Sequence, residues 1–500
     1  MTATVTVIGV NGDDLPAAAV NALAEARLVV GGRSVLMRWV AAAHSAARSD
    51  GAARSDSAAR SDSAVRSDSA ARSDSAGRSD SAARSDCAAW SESAGRSDCA
   101  AWSDSAGRAD SAGRSDSAAR DTARSDAVRS DSLALPGGPR TIELPGAAEL
   151  PGSALDALAA SVEAGEPAVV LAAGDPGYFG VLRALRARSV PTVCWPAVSH
   201  LQRIAAMIQR PWDDVTVVAM GGRAFRKAVN VCRARPAVGV LTAPGAGPAE
   251  LGAALVGWRR TLVVVQDVGG PHEELSIVDP AEAAARTWRE PSIVLCLADL
   301  DRVGPAGWLA GGEPVPPADG WALGQESFTH REGMGGSPEL RALALARLAP
   351  RPGVLVWDVA AGCGAVGVEA ARLGAAVIAV ENDPGLCVRI VANAKRHGVD
   401  VRLVDGPVPE ALAGLPKPDA VFLGTARTDV VRSCAGLGAA RIVVEVHELG
   451  SVGPARDALV DAGYVVDGRL VFAAPIHGLA SGAAAVEQAS SNLLLWGTLR

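Results

Sequence analysis

Short apolar runs alternate with amphipathic stretches along most of the chain. Before residue 45, the run VTVIGV is followed by the helical pattern PAAAVNALAEA and then by LVVGG. After residue 132, the apolar runs include PAVVLAAG, DVTVVAM, VGVLTAP and TLVVVQD. Because such runs separated by helical stretches are typical of mostly parallel sheets covered by helices, we predict an α/β protein.

The alternation stops at a stretch rich in glycine and proline and then begins again. This stretch, GPAGWLAGGEPVPPADG over 304–320, is typical of a linker between domains. We therefore predict a first domain over 1–300, a linker over 301–325 and a second domain over 326–500. The length of 500 residues agrees with this division, since single cores rarely grow beyond about 250–300 residues.

A hexapeptide repeat interrupts the first domain between residues 45 and 132. Arg or Trp recurs at every sixth position from Arg48 to Arg120, with Ser, Asp and Ala between. Six is not a multiple of the helical period of about 3.6, so these side chains form no helical stripe. Neither face of a strand would carry large apolar groups to offset the ordering entropy. We predict a disordered low-complexity insert outside both active sites, whose deletion leaves activity intact.

Composition and charge exclude several classes of protein. The net charge of −7 argues against a nucleic-acid binder, and no apolar run is long enough to span a membrane. The N-terminal MTATVTVIGV lacks the basic region of a secretory signal. Eight scattered cysteines and seven histidines show no disulfide framework and no metal-ligand spacing. We expect a cytoplasmic protein without a metal site.

A glycine-rich loop in the second domain carries the clearest candidate chemistry. GVLVWDVAAGCGAVGVEAARL predicts a strand that ends at Asp358, a loop and a helix, and AAVIAVEND predicts a second strand that ends on Glu381. Small residues let the backbone approach a ligand, the helix N-terminus offers free N–H groups, and an acid accepts from ribose hydroxyls. GCGAVG over 362–367 matches the dinucleotide pattern GxGxxG, so an NAD(P)-dependent dehydrogenase is one interpretation.

The placement of Asp358 favours a different nucleotide-like ligand. The D-x-x-A-G-x-G loop resembles the S-adenosylmethionine (SAM) site of class I methyltransferases. FTHREGMGGSPELRALALARL, VDGPVPEALAGLPKPDAVFLG and the terminal LLLWG are similar to the decarboxylating C-terminal domains of the precorrin-6Y methyltransferase family. The resemblance implies a Rossmann-like class I fold in which SAM contacts Asp358, Ala360, Ala361, Gly362, Cys363, Gly364, Glu381 and Val408.

The first domain resembles a second family. VIGVNGDDL, LAAGDPGYFG, VVAMGGR and VVVQDVGGPHEEL are similar, in order and spacing, to segments of the tetrapyrrole (corrin/porphyrin) methylase family. In that family SAM lies in a cleft between two α/β lobes, the class III methyltransferase fold. The resemblance implies cofactor contacts from Gly9, Gly174, Asp175 and Pro176.

Together the two resemblances imply an activity in cobalamin biosynthesis. They imply two methylations of meso carbons of a reduced tetrapyrrole and loss of carbon dioxide from a ring acetate. Methyl transfer from a sulfonium needs alignment and exclusion of water, so no catalytic residue is assigned. The anionic tetrapyrrole suits arginine partners. The expected substrate contacts are His330, Arg331, Arg341 and Arg223, and we also expect a homo-oligomer.

Several positions of the second domain depart from the family pattern. The usual glycine is Ala360, the usual Ser/Thr is Cys363, a usual threonine is Gly336, and Pro407 and Val408 replace an acid and an alanine. Alanine fits position 360 if its φ is negative, because the left-handed region is costly for a residue with a Cβ. These departures favour a third interpretation, in which the chain is a degenerate, non-catalytic binding module.

Overall fold

The computed structural model describes residues 4–12, 15–40, 138–144, 150–179, 181–304, 309–312, 317–331, 336–473, 476–478, 484–486 and 490–499. The predicted insert over 45–132 lies outside these residues. Three large sheets and a two-stranded hairpin make up the strands of the described residues. All of these strands belong to one compact unit.

The first sheet is fully parallel. Its strands are β1 (Val5–Val10), β2 (Leu28–Gly32), β3 (Arg140–Leu144), β4 (Ala168–Ala173) and β5 (Thr192–Trp195), in the order β3-β2-β4-β1-β5. Both faces are buried under helices, which explains the continuous apolar runs in the sequence. These helices are α1 (Ala17–Glu25), the helical residues 33–40 (α2), α3 (Gly152–Glu163) and α4 (Val181–Ala187).

The second sheet is mixed, so the prediction of mostly parallel sheets is wrong for this part of the chain. Its order is β6-β7-β10-β8-β9, and β10 runs antiparallel to both of its neighbours. The β8–β9 connection is too short for the parallel crossover, which takes a dozen or more residues. The elements are α5 (His200–Met207), β6 (Thr216–Ala219), α6 (Phe225–Ala234), β7 (Ala237–Leu241), α7 (Pro248–Leu255), β8 (Thr261–Gln266), β9 (Glu274–Val278), α8 (Pro280–Ala285) and β10 (Ser292–Leu297).

The third sheet has the strand order β13-β12-β11-β14-β15-β19-β16. The five strands from β13 to β15 are parallel, and β19 is antiparallel to both β15 and β16. The elements are α9 (Pro338–Leu348), β11 (Leu355–Val359), α10 (Ala365–Arg372), β12 (Ala376–Glu381), α11 (Pro384–Arg396), β13 (Arg402–Asp405), β14 (Ala420–Leu423), α12 (Thr428–Ala435), β15 (Arg441–Val446), α13 (Val452–Asp461), β16 (Tyr464–Ala473), the β17 (Ile476–Gly478) and β18 (Ala484–Val486) hairpin, and β19 (Ser490–Leu499).

The predicted α/β architecture is confirmed: two five-stranded α/β lobes are followed by a seven-stranded, Rossmann-like third sheet. In the first sheet, and among the parallel strands of the third sheet, the carboxyl ends of the strands lie at one edge. Ligands of open α/β sheets bind at this edge. Asp358 and Glu381 therefore come from neighbouring strands, since Val359 pairs with Val380. No helix among the described residues is long and apolar enough to cross a membrane.

Candidate functional site

A cavity of about 550 Å³ opens where the first sheet meets the second. The first sheet contributes residues at the carboxyl ends of its strands, among them Gly32, Leu144 and Gly174. The second sheet contributes Thr242, which follows β7, and Ser292, which begins β10. The cleft between the two lobes is thus lined by strand ends from both.

The Gly-Asp-Pro turn after β4 forms one wall of this cavity. The N–H of Gly174 donates to the carbonyl of Val10 across 2.7 Å, and its φ of +73° requires a residue without a Cβ. Asp175 Oδ1 accepts from the N–H of Gly177 at 2.7 Å, which closes the turn. Gly174 and Asp175 line the cavity, whereas Pro176 is buried in the turn.

Gly9 supports the turn from beneath. A Cβ on Gly9 would lie 2.7 Å from the Ala197 nitrogen and 2.8 Å from the Gly174 carbonyl oxygen. The absence of a side chain at position 9 therefore lets β1, the Gly-Asp-Pro turn and the segment before α5 pack closely. Contact of Gly9 with a cofactor stays a prediction, and the structure gives this residue a packing role.

His200 connects the first cavity with a second one of about 410 Å³ and lines both. Burial and the neighbouring Arg203 lower the pKa of the imidazole to about 4, although Glu273 acts in the opposite direction. Arg203 is itself paired with Glu273, through bonds of 2.7 Å and 2.9 Å. His200 is thus a neutral group between the cavities.

The glycine loop of the third sheet is organised around Asp358. This carboxyl group is fully buried, and its Oδ2 accepts from the N–H of Gly367 at 2.8 Å. Its Oδ1 is buried and has no hydrogen-bond partner among the described residues. Burial, with a smaller contribution from the nearby Glu381 and Glu445, raises the pKa of Asp358 to about 7, against the opposing effect of the Gly367 N–H. An unpartnered buried oxygen at a strand end is suited to accept from a ligand.

Glu381 holds the opposite side of the loop. Its Oε2 accepts from the N–H of Gly362 at 2.8 Å, and its Oε1 accepts from Asn382 and Asp383 at 2.9 Å and 3.0 Å. A carboxylate offers about four acceptor positions, so one position on Oε2 stays available to a hydroxyl group. Glu381 therefore both fixes the loop and can contact a ligand.

Ala360 adopts a left-handed conformation with φ +55°, the region that is costly for a residue with a Cβ. Gly362 and Gly364 also have positive φ, of +59° and +75°, so three residues of the loop share this region. The loop turns sharply before α10, and Ala361 anchors it through its N–H to the Val380 carbonyl at 3.2 Å. The tight geometry is preserved at position 360 at the cost of backbone strain.

The buried Cys363 is fixed by a residue that sequence reasoning missed. Its carbonyl accepts from Asn393 Nδ2 at 2.9 Å, and burial raises the pKa of its thiol. Asn393 also bonds Thr329 through both of its polar side-chain atoms, between 2.7 Å and 3.0 Å. Asn393 is fully buried and joins the loop to the segment that carries His330. A polar residue within the apolar face of α11 is the signal that identifies it.

The structure gives Arg341 internal partners, and its contact with substrate stays a prediction. Its side chain is 3% exposed and donates from Nε to the fully buried Glu369 at 2.8 Å. It also bonds the Leu323 carbonyl and lies over the Phe328 ring at 4.8 Å. The enclosed guanidinium is thus occupied by an internal ion pair. Sequence reasoning missed Glu369, although an acid within the apolar GVEAA is a visible signal.

The other predicted substrate contacts are more open. Arg331 is about half exposed and pairs with Asp383 at 2.9 Å. His330 bonds the Phe328 carbonyl through Nδ1 at 3.0 Å. Arg223 is exposed and follows β6 of the second sheet, so the structure divides these three residues between the two parts of the chain. Their contacts with substrate stay predictions.

The remaining positions that depart from the family pattern lie near Glu381 and near the start of α9. Val408 packs against the core of the third sheet, and Pro407 is exposed. The N–H of Gly406 donates to the Glu381 carbonyl at 3.1 Å, which places this segment beside the acid. Gly336 has a φ of +63° and accepts from Gln325 at 2.8 Å. Within the described part of the chain, no cluster of three metal-ligating side chains occurs.

Comparisons with known proteins give matches to both parts of the chain. The family model for tetrapyrrole (corrin/porphyrin) methylases matches residues 113–285, and the model for the precorrin methyltransferase domain matches residues 326–451.

Individual proteins match as well. A Sinorhizobium sp protein named precorrin-6Y C(5,15)-methyltransferase (decarboxylating) is 33% identical over 268 residues, which are 52% of this chain and 62% of the relative. A Pyrobaculum calidifontis protein named probable cobalt-precorrin-6B C(15)-methyltransferase (decarboxylating) is 36% identical over 149 residues, 27% of this chain and 74% of the relative.

Among solved structures, the C-terminal domain of precorrin-6Y C5,15-methyltransferase from Rhodobacter capsulatus is 28% identical, with a TM-score of 0.32. That match covers 36% of this chain and 97% of the solved domain. The chain spans less than two thirds of the length of the Sinorhizobium relative.

Proposed function

The chain belongs to the family of decarboxylating precorrin methyltransferases, and on this premise we propose that it is a SAM-dependent enzyme acting on precorrin-6Y. The proposed reaction adds methyl groups to two meso carbons and removes carbon dioxide from a ring acetate of the tetrapyrrole. The observation that carries the proposal is the presence of two separate strand-end sites in one chain. One is the cleft between the lobes, and the other is the Asp358 loop of the third sheet.

The residues of the third sheet fit SAM. The partnerless Oδ1 of Asp358 can accept from the ligand, and Glu381 has one free acceptor position for a ribose hydroxyl. Bound SAM supplies an electrophilic methyl group on a sulfonium cation. In their ionised forms the carboxyl groups of Asp358 and Glu381 would favour such a cation electrostatically, and the loop would hold it.

The residues of the first cleft fit the same cofactor class in a different way. Gly174 and Asp175 present a close backbone wall, and a cavity of about 550 Å³ is within the usual range for a cofactor-sized ligand. His200 is uncharged because its pKa is lowered to about 4, so it does not repel a sulfonium. The charge of Arg203 is balanced by Glu273. His200 and Arg203 therefore add no uncompensated positive charge to the wall of the cleft.

A dehydrogenase is not favoured by the loop geometry. The third glycine of GCGAVG is Gly367, where a Cβ would lie 2.8 Å from Asp358 Oδ2. This glycine is needed to accommodate the buried Asp358. The match to the dinucleotide pattern thus follows from the packing of Asp358. Cytoplasmic location and a homo-oligomeric state stay predictions.

Isothermal titration with SAM tests the two-site proposal. We expect about two SAM sites per chain and a loss of one of them in Asp358→Asn, whereas NADH is expected not to bind. Tight NADH binding without SAM binding would contradict the proposal. A deletion variant that lacks residues 45–132 is expected to retain both sites and SAM turnover, and intact turnover would count against a non-catalytic binding module that recruits a partner through the repeat.

A further inference from the structure

One layer of the third sheet is incomplete within its own part of the chain. In the fully described stretch 355–473, the strand connections that contain an α-helix are β11–β12, β12–β13, β14–β15 and β15–β16. The β13–β14 connection contains only a short turn at Glu410–Leu412. In a parallel sheet a crossover helix covers the strands it passes. The face of β11 and β12 that carries Trp357, Ile378 and Val380 thus lacks a helix of its own, yet these side chains are at most 1% exposed.

Residues of the second sheet's part of the chain cover this face. Trp258, which follows α7, is 5% exposed and belongs to the same apolar cluster as Trp357, Ile378 and Val380. Ala234, at the end of α6, packs against this cluster as well. The Trp258 indole N–H has no hydrogen-bond partner among the described residues. Its contribution to the contact is therefore the burial of the ring.

Polar contacts fix the position of α6 against the third sheet. Asn230 Nδ2 donates to the Gly353 carbonyl at 3.0 Å and lies 3.3 Å from Asp419 Oδ2. That same oxygen accepts from the N–H of Leu355, at the start of β11, at 2.8 Å. Arg226 pairs with Asp419 Oδ1 at 2.9 Å. One carboxylate thus connects α6 to the central strand of the third sheet.

A buried arginine makes a second connection. The Arg260 side chain is 1% exposed and forms an ion pair with Asp400, two residues before β13. Its Nε donates to the Cys232 carbonyl at 2.6 Å, and it also bonds the Arg233 carbonyl, both on α6. Arg260 therefore joins α6, beside the second sheet, to the residue that precedes β13 of the third sheet. Loss of Asp400 would leave the buried guanidinium of Arg260 without its charged partner.

From these contacts we infer that α6 and Trp258 serve as the missing covering layer of the third sheet, so that the methylase part of the same chain stabilises β12 and β13. β12 ends at Glu381, and Asp405 of β13 lies opposite Glu381 in the strand register. The covering layer therefore also positions one wall of the Asp358 loop.

Hydrogen exchange of the full chain, followed by mass spectrometry, tests this inference. In Trp258→Ala we expect amides of β12 and β13 to exchange at least tenfold faster, with amides of β4 in the first sheet unchanged. Trp212→Ala is the matched control, because Trp212 is 43% exposed and is expected to leave both regions unchanged. If the alanine variant does not fold, Trp258→Phe is expected to show the same localised change with smaller amplitude.

Faster exchange confined to the second sheet, or equal acceleration in all three sheets, would overturn the inference. A second readout is SAM titration, in which Trp258→Ala is expected to weaken binding at the Asp358 loop at least tenfold and to leave the first cleft unchanged. This readout rests on the proposed function, whereas the exchange experiment does not. Failure of SAM binding in the unaltered chain would therefore contradict the proposed function. The covering role of α6 and Trp258 would then be tested by the exchange experiment alone.

Discussion

The backbone N–H of Gly367 donates to one carboxylate oxygen of Asp358 across 2.8 Å, while the other oxygen of Asp358 is buried without a partner among the described residues. A Cβ at position 367 would lie 2.8 Å from the bonded oxygen, so the two residues fit only with glycine on the helix. The arrangement keeps an ionisable group in a dry site and leaves one of its acceptors for a ligand.

Asp358→Asn is expected to change how stability depends on pH. Burial raises the pKa of Asp358 from 3.8 to about 7 in the folded chain. Between these values the folded chain holds a proton that the unfolded chain has released, so the stabilisation present at low pH is lost as pH rises through about 7. The amide oxygen of Asn can still accept from Gly367, and Asn does not titrate.

Urea unfolding of the two proteins at pH 5 and pH 8 measures this effect. Relative to the unaltered chain, the variant is expected to gain on the order of 3 kcal/mol in free energy of unfolding between the two pH values. Because only the difference between the proteins is used, titration of other groups cancels. An equal pH dependence for the two proteins would contradict a raised pKa at Asp358.

Gly9→Ala is expected to impair the first site selectively. The new Cβ would lie 2.7 Å from the Ala197 nitrogen, so the Gly-Asp-Pro turn or the segment before α5 must shift. We expect loss of SAM binding at the first cleft with the Asp358 loop unaffected, measured as titration stoichiometry. Gly152→Ala is the matched control, because nothing lies within 4 Å of its Cβ position. Retention of both SAM sites in Gly9→Ala would show that this packing does not shape the cleft.

Arg341→Ala is expected to destabilise the fold without a specific effect on substrate affinity. It leaves the buried Glu369 without its charged partner, which typically costs about 3–5 kcal/mol. Arg188→Ala breaks an exposed pair with Asp156 and is expected to cost about 1 kcal/mol or less. Chemical unfolding measures the loss in free energy of unfolding for each of the two variants. A stable Arg341→Ala variant with a raised KM would restore the substrate-binding role.

Ala360→Gly is expected to stabilise the chain. Its φ of +55° is unfavourable for alanine, and the relief of strain is expected to exceed the added chain entropy, for a net gain of about 0.5–1 kcal/mol. Ala349→Gly, with φ +52° at the end of α9, is expected to shift stability in the same direction without altering SAM binding. Thermal unfolding measures the effect as a change in Tm, which is expected to rise in both variants. A lower Tm for Ala360→Gly would contradict backbone strain at this position.

The structural features that could be predicted from the sequence are those set by a local pattern of residues. The strand that carries Asp358, the glycine turn after it and the strand that ends at Glu381 follow from residues close together in the chain, although the first strand ends at Val359, one residue beyond the prediction. The antiparallel placement of β10 was missed, because an apolar run does not reveal the direction in which its neighbours lie.

Contacts between distant residues account for most of what the sequence did not predict. Arg341 was expected to be available for substrate because its partner, Glu369, lies 28 residues further along, on another helix. The connection of Trp258 to Trp357 spans two different sheets and leaves no periodic signal. The sequence left the conformation of Ala360 open, and the turn that the loop requires gives this residue the left-handed φ that is costly for alanine.

The mass of the product that the purified full chain forms from precorrin-6Y and SAM is the decisive measurement for the proposed reaction. We predict a product heavier by two methyl groups and lighter by one carbon dioxide, with one methyl group absent in Gly9→Ala. A product that carries methyl groups but retains the carboxyl group would contradict the decarboxylase role of the second domain. Unchanged substrate in the presence of bound SAM would contradict the proposed reaction as a whole.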